Sequence, residues 1–130
     1  MSRASLLLLA APVLAGCGNP IHNHYSVKNT APCLEKAGYT VNRNAASHGP
    51  IEASASEGAL LATEPGNAVV ITFSADAHEA NNIKRAYTIF APKRLRPHIN
   101  DVMESQKNAV LRWTVTAPRN ELDRVLGCLK

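Results

Sequence analysis

The sequence has few aromatic residues and none of the short signatures that mark the common enzyme classes. Aromatic residues make up 5% of the 130 residues and charged residues 18%, beside 45% hydrophobic residues. This composition is that of an ordinary globular chain and argues against a disordered or coiled-coil protein. The nucleophile elbow GxSxG, the P-loop and the dinucleotide fingerprint GxGxxG are all absent. The sequence therefore gives no direct evidence for hydrolytic or nucleotide-dependent chemistry, and it names no catalytic residue.

The excess of positive charge is also small. Fourteen Lys and Arg against ten Asp and Glu give a formal net charge of +4. This balance is compatible with an anionic membrane surface or an anionic envelope polymer, but it is too small to indicate a nucleic-acid partner.

Cysteine and histidine are few and do not recur at metal-ligand spacing. His78-Glu79 begins like the zinc motif HExxH, but Asn82 stands where the second histidine is required. His22 and His24 are weak metal candidates, because neutral imidazoles suit zinc or copper. Two polar residues in a flexible segment are the more ordinary interpretation. We expect no cofactor.

The N-terminus combines one cation, an apolar run and small residues before a cysteine. Arg3 precedes the apolar segment 6–14, which is too short to span a bilayer, and Leu14-Ala15-Gly16 then leads to Cys17. This order is typical of an export signal. A plain secretory signal with a coincidental cysteine and a buried N-terminal helix are the alternatives.

The four residues that end at Cys17 resemble the lipobox of bacterial lipoproteins, a resemblance that covers residues 1–17 only. In that class the cysteine sulfur receives a diacylglyceryl group and the chain is cut just before it. The resemblance implies a signal peptide at 1–16 and an extracytoplasmic protein anchored to a cell membrane through Cys17. Residues 17–24 would form a tether, and two acyl chains hold durably because each buried CH2 contributes about 0.8 kcal/mol.

The two remaining cysteines form an even pair. In an oxidising compartment a disulfide between Cys33 and Cys128 is the default expectation. Because the two residues lie near opposite ends of the domain, the chain-entropy model gives such a bond about 4 to 5 kcal/mol of stabilisation as an upper figure. Two buried free thiols are the alternative.

Turn and capping residues predict the first half of the domain. A helix is expected over 30–38, where a Thr-Ala-Pro start precedes a glycine. A short strand at 39–41 and a loop at 44–57 follow. Segments 59–63 and 68–73 flank a Glu-Pro-Gly-Asn turn whose centre suits type II, so they are predicted to form a hairpin.

A longer helix is predicted to begin at Asp76, which has the form of a capping box with Glu79, and to end at Pro92. Its apolar residues recur at helical spacing on one stripe, at Ala80, Ile83, Tyr87 and Phe90. Segment 93–107 has no clear period and is expected to be irregular, with a turn of helix near 101–104. Alternation over 109–115 predicts a strand with one buried side, and a Thr-Ala-Pro start precedes a C-terminal helix.

The densest charge cluster is the segment 93–98. Lys93, Arg94 and Arg96 are candidates for binding an anionic surface, since cations near a membrane each add about 1 kcal/mol of attraction. A solvated loop is the alternative. Trp113 and Tyr87 lie on the apolar side of their elements and are predicted to belong to the core.

These elements predict one α+β domain at 25–130, with an antiparallel or mixed sheet of three to five strands and helices mainly on one face. A further strand at 25–27 would bring the order close to a ferredoxin-like fold with an extra C-terminal helix. The favoured function is that of a membrane-anchored envelope lipoprotein acting as a binding or interaction module. A small histidine-using metal-binding protein or enzyme, and a structural subunit of an envelope complex, are the alternatives.

Overall fold

A five-stranded antiparallel sheet forms the centre of the fold. The computed structural model describes residues 24–130, so segment 1–16, Cys17 and His22 lie outside the described residues. The strands are β1 (Thr40–Asn42), β2 (Ala59–Glu64), β3 (Asn67–Phe73), β4 (Met103–Gln106) and β5 (Ala109–Trp113), in the sheet order β1-β2-β3-β5-β4. The predicted α+β class is confirmed.

The predicted hairpin is formed by β2 and β3. Glu64 pairs with Asn67 across the turn, and Gly66 has a φ of 89°. A type II turn requires positive φ at its third residue, which glycine adopts without steric cost. The turn therefore sets the register of the two strands at the centre of the domain.

Helices cover both faces of this sheet. The α-helices within residues 24–130 are α1 (Val27–Lys36), α2 (Pro50–Ser54), α3 (Ala77–Phe90) and α4 (Arg119–Cys128). α1 and α4 pack together against side chains of β3 and β5 such as Ile71 and Leu111, while α2 and α3 pack against Val110 on the other face. The expectation that the helices lie mainly on one face is therefore corrected. Strand β5 is buried on both sides, not on one.

The start of the domain also differs from the prediction. No strand forms at 25–27, because Ser26 caps α1 by accepting a hydrogen bond from the backbone N–H of Asn29. The helix thus begins before Thr30, and Pro32 lies inside it. Without the additional strand the order is not ferredoxin-like, and every neighbouring pair of strands is antiparallel.

Two segments expected to be irregular contain regular structure. Segment 44–57 forms a 3-10 helix at Ala45–Ser47 and then α2, while 93–107 contains a 3-10 helix at Arg96–Asp101 and then β4. Strand β4 lies at the edge of the sheet and alternates only between half-buried and exposed residues, so its sequence carries no apolar period.

Buried polar contacts and a disulfide join the ends of the chain to the sheet. Asn108 is buried and bonds the backbone N–H and carbonyl of Tyr25 and the carbonyl of Ser74. The sulfur atoms of Cys33 and Cys128 are 2.17 Å apart, so a disulfide links α1 to the end of α4. The N- and C-terminal segments of the domain are thereby held together on one face.

Candidate functional site

A cavity of about 210 Å³ opens where α2, the end of α3 and the following 3-10 helix meet. Its walls are mainly apolar, and its floor carries three polar side chains, those of Glu52, Tyr87 and Arg112. We call it the Arg112 cavity. Drug-sized ligands occupy clefts of roughly 300 to 1,000 Å³. This cavity therefore suits a smaller molecule, or one end of a larger one.

The three floor residues form one bonded cluster. Tyr87 donates a hydrogen bond of 2.9 Å to Oε1 of Glu52, and Nη2 of Arg112 lies 3.5 Å from the same oxygen. The Arg112 guanidinium also lies over the Tyr87 ring, 5.1 Å from its centroid. Because Glu52 is only 3% exposed, its negative charge requires such partners.

Glycine at position 49 allows Glu52 to take this position. Gly49 precedes α2 with a φ of 139°, a conformation that other residues rarely adopt. A Cβ at this position would lie 2.8 Å from Oε2 of Glu52. Pro50 then fixes the first turn of α2. Gly49 and Pro50 thus allow the Glu52 carboxylate to be buried, although segment 44–57 has the composition of a loop.

Burial and the Glu52 charge act together on Tyr87. Burial, the negative charge of Glu52 and the hydrogen bond to it raise the pKa of Tyr87 well above its ordinary value of 10, although Arg112 opposes the shift. The phenol therefore stays protonated at neutral pH. In this structure it donates a hydrogen bond to Glu52.

Arg112 is the polar group best placed to meet a ligand. It lies on β5, two residues after Val110 and on the same face, and 32% of its side chain is exposed. A guanidinium has five N–H donors, and Glu52 accepts from one of its nitrogens. The Nε of Arg112 is buried and bonds no described residue, so the Nη donors that Glu52 does not use are the ones that can bind a carbonyl, carboxylate or phosphate oxygen in the cavity.

The predicted anionic-surface residues divide into two kinds. Lys93 and Arg94 are exposed and take part in no ion pair among the described residues. Arg96 instead donates to the carbonyls of Ile89 and Ala91, each at 3.2 Å. These are carbonyls at the end of α3, so Arg96, although exposed, also stabilises the helix terminus. Its contact with an anionic surface stays a prediction.

Of the two predicted metal ligands, His24 is described by the structure and His22 lies outside the described residues. Within residues 24–130 no three histidine, cysteine or acidic side chains are placed to hold a metal ion. His24 is half-buried at the start of the described chain, His48 lines the Arg112 cavity, and His98 lies 3.5 Å from Asp101.

Two core predictions have different outcomes. Trp113 is 3% exposed and packs in the core, as predicted. Tyr87 is also buried, but its hydroxyl belongs to the cavity floor.

The sequence did not reveal Glu52 and Arg112 as site residues. Glu52 lies in a segment that was expected to be a loop, and Arg112 occupies a position of the alternating strand that usually faces solvent. The one signal for Glu52 in the sequence was the pair Gly49-Pro50, which is typical of the start of a helix.

No protein-family model, curated protein or solved structure matches this chain. In the part of the chain that the structure describes, no helix is both long and apolar enough to cross a bilayer.

Proposed function

We propose that the chain is a lipid-anchored protein of the cell envelope whose domain binds a small ligand in the Arg112 cavity. The observation that carries the proposal is the bonded floor of that cavity, in which Glu52 and Tyr87 are paired while Arg112, with 32% of its side chain exposed, keeps Nη donors that Glu52 does not use. The ligand class that fits is a small molecule with an apolar body and one oxygen acceptor for the guanidinium.

The state of the floor residues favours binding over bond-breaking chemistry. The Glu52 carboxylate already accepts from two neighbours, and the Tyr87 phenol is held protonated. Neither is therefore poised to remove a proton from a substrate. A fixed donor between apolar walls is the arrangement expected of a site that orients a ligand.

The proposed anchor rests on the sequence from Leu14 to Cys17. Intact-mass measurement of protein extracted from membranes tests it, and the expected product begins at Cys17 and carries the diacylglyceryl group. A mature N-terminus elsewhere, or an unmodified Cys17, would contradict the anchor without touching the ligand proposal.

The ligand proposal is tested on the full chain purified in mild detergent from its native membranes. Native mass spectrometry is expected to detect a small molecule bound at one per chain. Leu95 lines the cavity and is 37% exposed, so Leu95→Trp should fill its mouth and abolish the bound mass. Val115→Trp is the matched control, because Val115 is 51% exposed and does not line the cavity. Retention of the bound mass in Leu95→Trp, or its absence from the parent, would refute the proposal.

A further inference from the structure

Exposed apolar side chains are concentrated at the C-terminal end of α3. Phe90 is 77% exposed, Ile89 56% and Leu95 37%, and these are three of the four large hydrophobic residues exposed in the described chain. Phe90 occupies the apolar stripe predicted from sequence, yet it faces solvent. Single exposed apolar residues are ordinary, but a contiguous exposed group marks an interaction site.

Leu95 connects these apolar side chains to an exposed cation. Phe90 and Leu95 both line the mouth of the Arg112 cavity, and Leu95 and Arg94 together line a shallow depression beside it. The Ile89 carbonyl accepts a hydrogen bond from Arg96, which brings the segment after α3 back against the helix. We call the group formed by Ile89, Phe90, Lys93, Arg94 and Leu95 the apolar-cationic edge.

The stretch of sequence that carries this edge has charges of one sign. Segment 80–100 contains five of the fourteen Lys and Arg residues and none of the ten Asp and Glu residues. None of the five takes part in an ion pair within residues 24–130. The positive charge is therefore not neutralised inside the domain and is available to an anionic surface.

We propose that the apolar-cationic edge docks on an anionic lipid bilayer, with Phe90 and Ile89 entering the headgroup region and Lys93 and Arg94 contacting lipid phosphates. Aromatic and aliphatic side chains flanked by lysine and arginine are the composition of interfacial membrane-binding surfaces. The inference rests on the proposed function in one respect, that the domain is held within reach of a membrane.

The position of the tether permits this contact. Tyr25 lies beside Ser74 and Asn108, near the start of α3, whereas the edge lies at the other end of that helix. A helix of 14 residues is about 21 Å long. Segment 17–24 spans at most roughly 25 to 30 Å when extended. The anchor and the edge can therefore contact one bilayer when α3 lies along its plane.

The test places a tryptophan reporter on the edge of the full chain. The sequence contains one tryptophan, Trp113, which is buried, so Phe90→Trp adds one exposed reporter whose signal is obtained by subtracting the parent. Val115→Trp is the matched control at an exposed apolar position outside the edge. Each chain is reconstituted into vesicles of phosphatidylglycerol and brominated phosphatidylcholine, recovered by flotation, and measured for quenching by the brominated chains. Near-ultraviolet circular dichroism checks that each variant is folded.

We expect quenching at position 90 to exceed that at position 115 several-fold in anionic vesicles and to fall sharply in neutral ones. Adding Lys93→Gln and Arg94→Gln to Phe90→Trp should remove most of the excess. Lys36→Gln with Arg119→Gln deletes the same charge from exposed sites elsewhere and should leave it unchanged. Arg96 is kept, because it caps α3.

Three results would overturn the inference. Equal quenching at positions 90 and 115 would mean that the edge stays in water, as expected if it binds a protein instead. Equal quenching of position 90 in anionic and neutral vesicles, or no effect of removing Lys93 and Arg94, would mean that lipid charge does not direct docking. Because the chain is recovered with its vesicles before the measurement, these results leave Cys17 lipidation and ligand binding in the Arg112 cavity untouched.

Discussion

The hydroxyl of Tyr87 donates a 2.9 Å hydrogen bond to Oε1 of Glu52, and both residues are buried. Tyr39 offers the opposite case in the same domain. Its hydroxyl is also buried, but it bonds no described residue. The two tyrosines therefore allow a buried hydroxyl with a hydrogen-bond partner to be compared with one that has none. Removing the first leaves a carboxylate short of a donor, whereas removing the second leaves no partner behind.

We predict that Tyr87→Phe lowers the free energy of unfolding by about 1.5 to 3 kcal/mol, the usual worth of a hydrogen bond to a charged group. Tyr39→Phe should leave it unchanged or raise it, since no bond is lost and a buried unpaired hydroxyl is removed. Urea denaturation of the full chain measures both. Equal effects of the two substitutions would show that the Tyr87–Glu52 bond contributes nothing specific to stability.

Arg96 is predicted to contribute to the stability of the fold, whereas Lys93 and Arg94 are predicted not to. Arg96→Gln should cost about 0.5 to 1 kcal/mol, because it removes a cation that bonds carbonyls at the end of α3. Lys93→Gln with Arg94→Gln should leave the melting temperature unchanged, since both side chains are exposed and unpaired among the described residues. Thermal denaturation compares the variants. A loss of stability in the double variant alone would reverse these assignments.

The elements predicted correctly are those whose signal is local. The β2–β3 hairpin depends on its Pro-Gly turn, and α3 begins at Asp76, whose side chain accepts from the N–H of Glu79. Both signals involve residues within a few positions of one another, although the Glu79 side chain accepts from the N–H of Ala75 and not from that of Asp76 as a full capping box requires.

The Arg112 cavity could not be predicted in this way, because its floor joins residues from distant segments. Glu52 and Arg112 are 60 positions apart, and only the packing of α2 and α3 on the second face of the sheet brings them together. Strand β4 was missed for a related reason. It exists because β5 supplies an edge for it to pair with, not because its own residues alternate.

The disulfide is predicted to supply a large part of the stability. It closes a loop with a sequence separation of 95 residues and joins α1 to α4. Replacing both Cys33 and Cys128 by alanine should lower the free energy of unfolding by about 2 to 5 kcal/mol. Non-reducing peptide mapping of the parent should recover the linked peptides, and reductant should shift the urea midpoint of the parent but not that of the variant. Peptides recovered unlinked under oxidising conditions would contradict the bond.

Glu79 is predicted to stabilise the fold when charged. Partial burial opposes its charged form, but hydrogen bonds from the Ser56 side chain and from the backbone of Ala75 and Ser56 outweigh burial and lower the pKa below its ordinary value. A lowered folded pKa means that the stabilisation is present above the unfolded value and is lost as the pH falls through the folded one.

Glu79→Gln should therefore destabilise the protein at pH 7 by about 0.5 to 1.5 kcal/mol, the usual net worth of a hydrogen bond, with a much smaller effect at pH 3. Glu57→Gln, at an exposed glutamate, is the control and should have no effect at either pH. Urea denaturation at the two pH values measures the difference. An effect of equal size at pH 3 and pH 7 would show that the charge of Glu79 is not the cause.

Glu121 is predicted to destabilise the fold when it is charged, which is the opposite of the effect of Glu79. Burial, a hydrogen bond with Glu64 and the charge of Glu64 raise the pKa of Glu121 above its ordinary 4.5, against the opposing effects of Asn67 and Arg124. Its Oε1 is buried and bonds no described residue. A raised folded pKa means that the contribution of Glu121 is most favourable below the unfolded pKa and is lost as the pH rises through the folded value.

Glu121→Gln should accordingly make the protein more stable than the parent at pH 7, by on the order of 1 kcal/mol, because folding no longer buries a charge beside Glu64. At pH 4 the parent carboxyl holds its proton in the folded state, so the advantage should shrink. Thermal denaturation at both pH values measures the change, with Asp123→Asn on the exposed side of α4 as the control. A variant that is less stable than the parent at pH 7 would mean that the charged carboxylate is a stabilising partner of Asn67 or Arg124, and the assignment of Glu121 as a destabilising buried acid would be wrong.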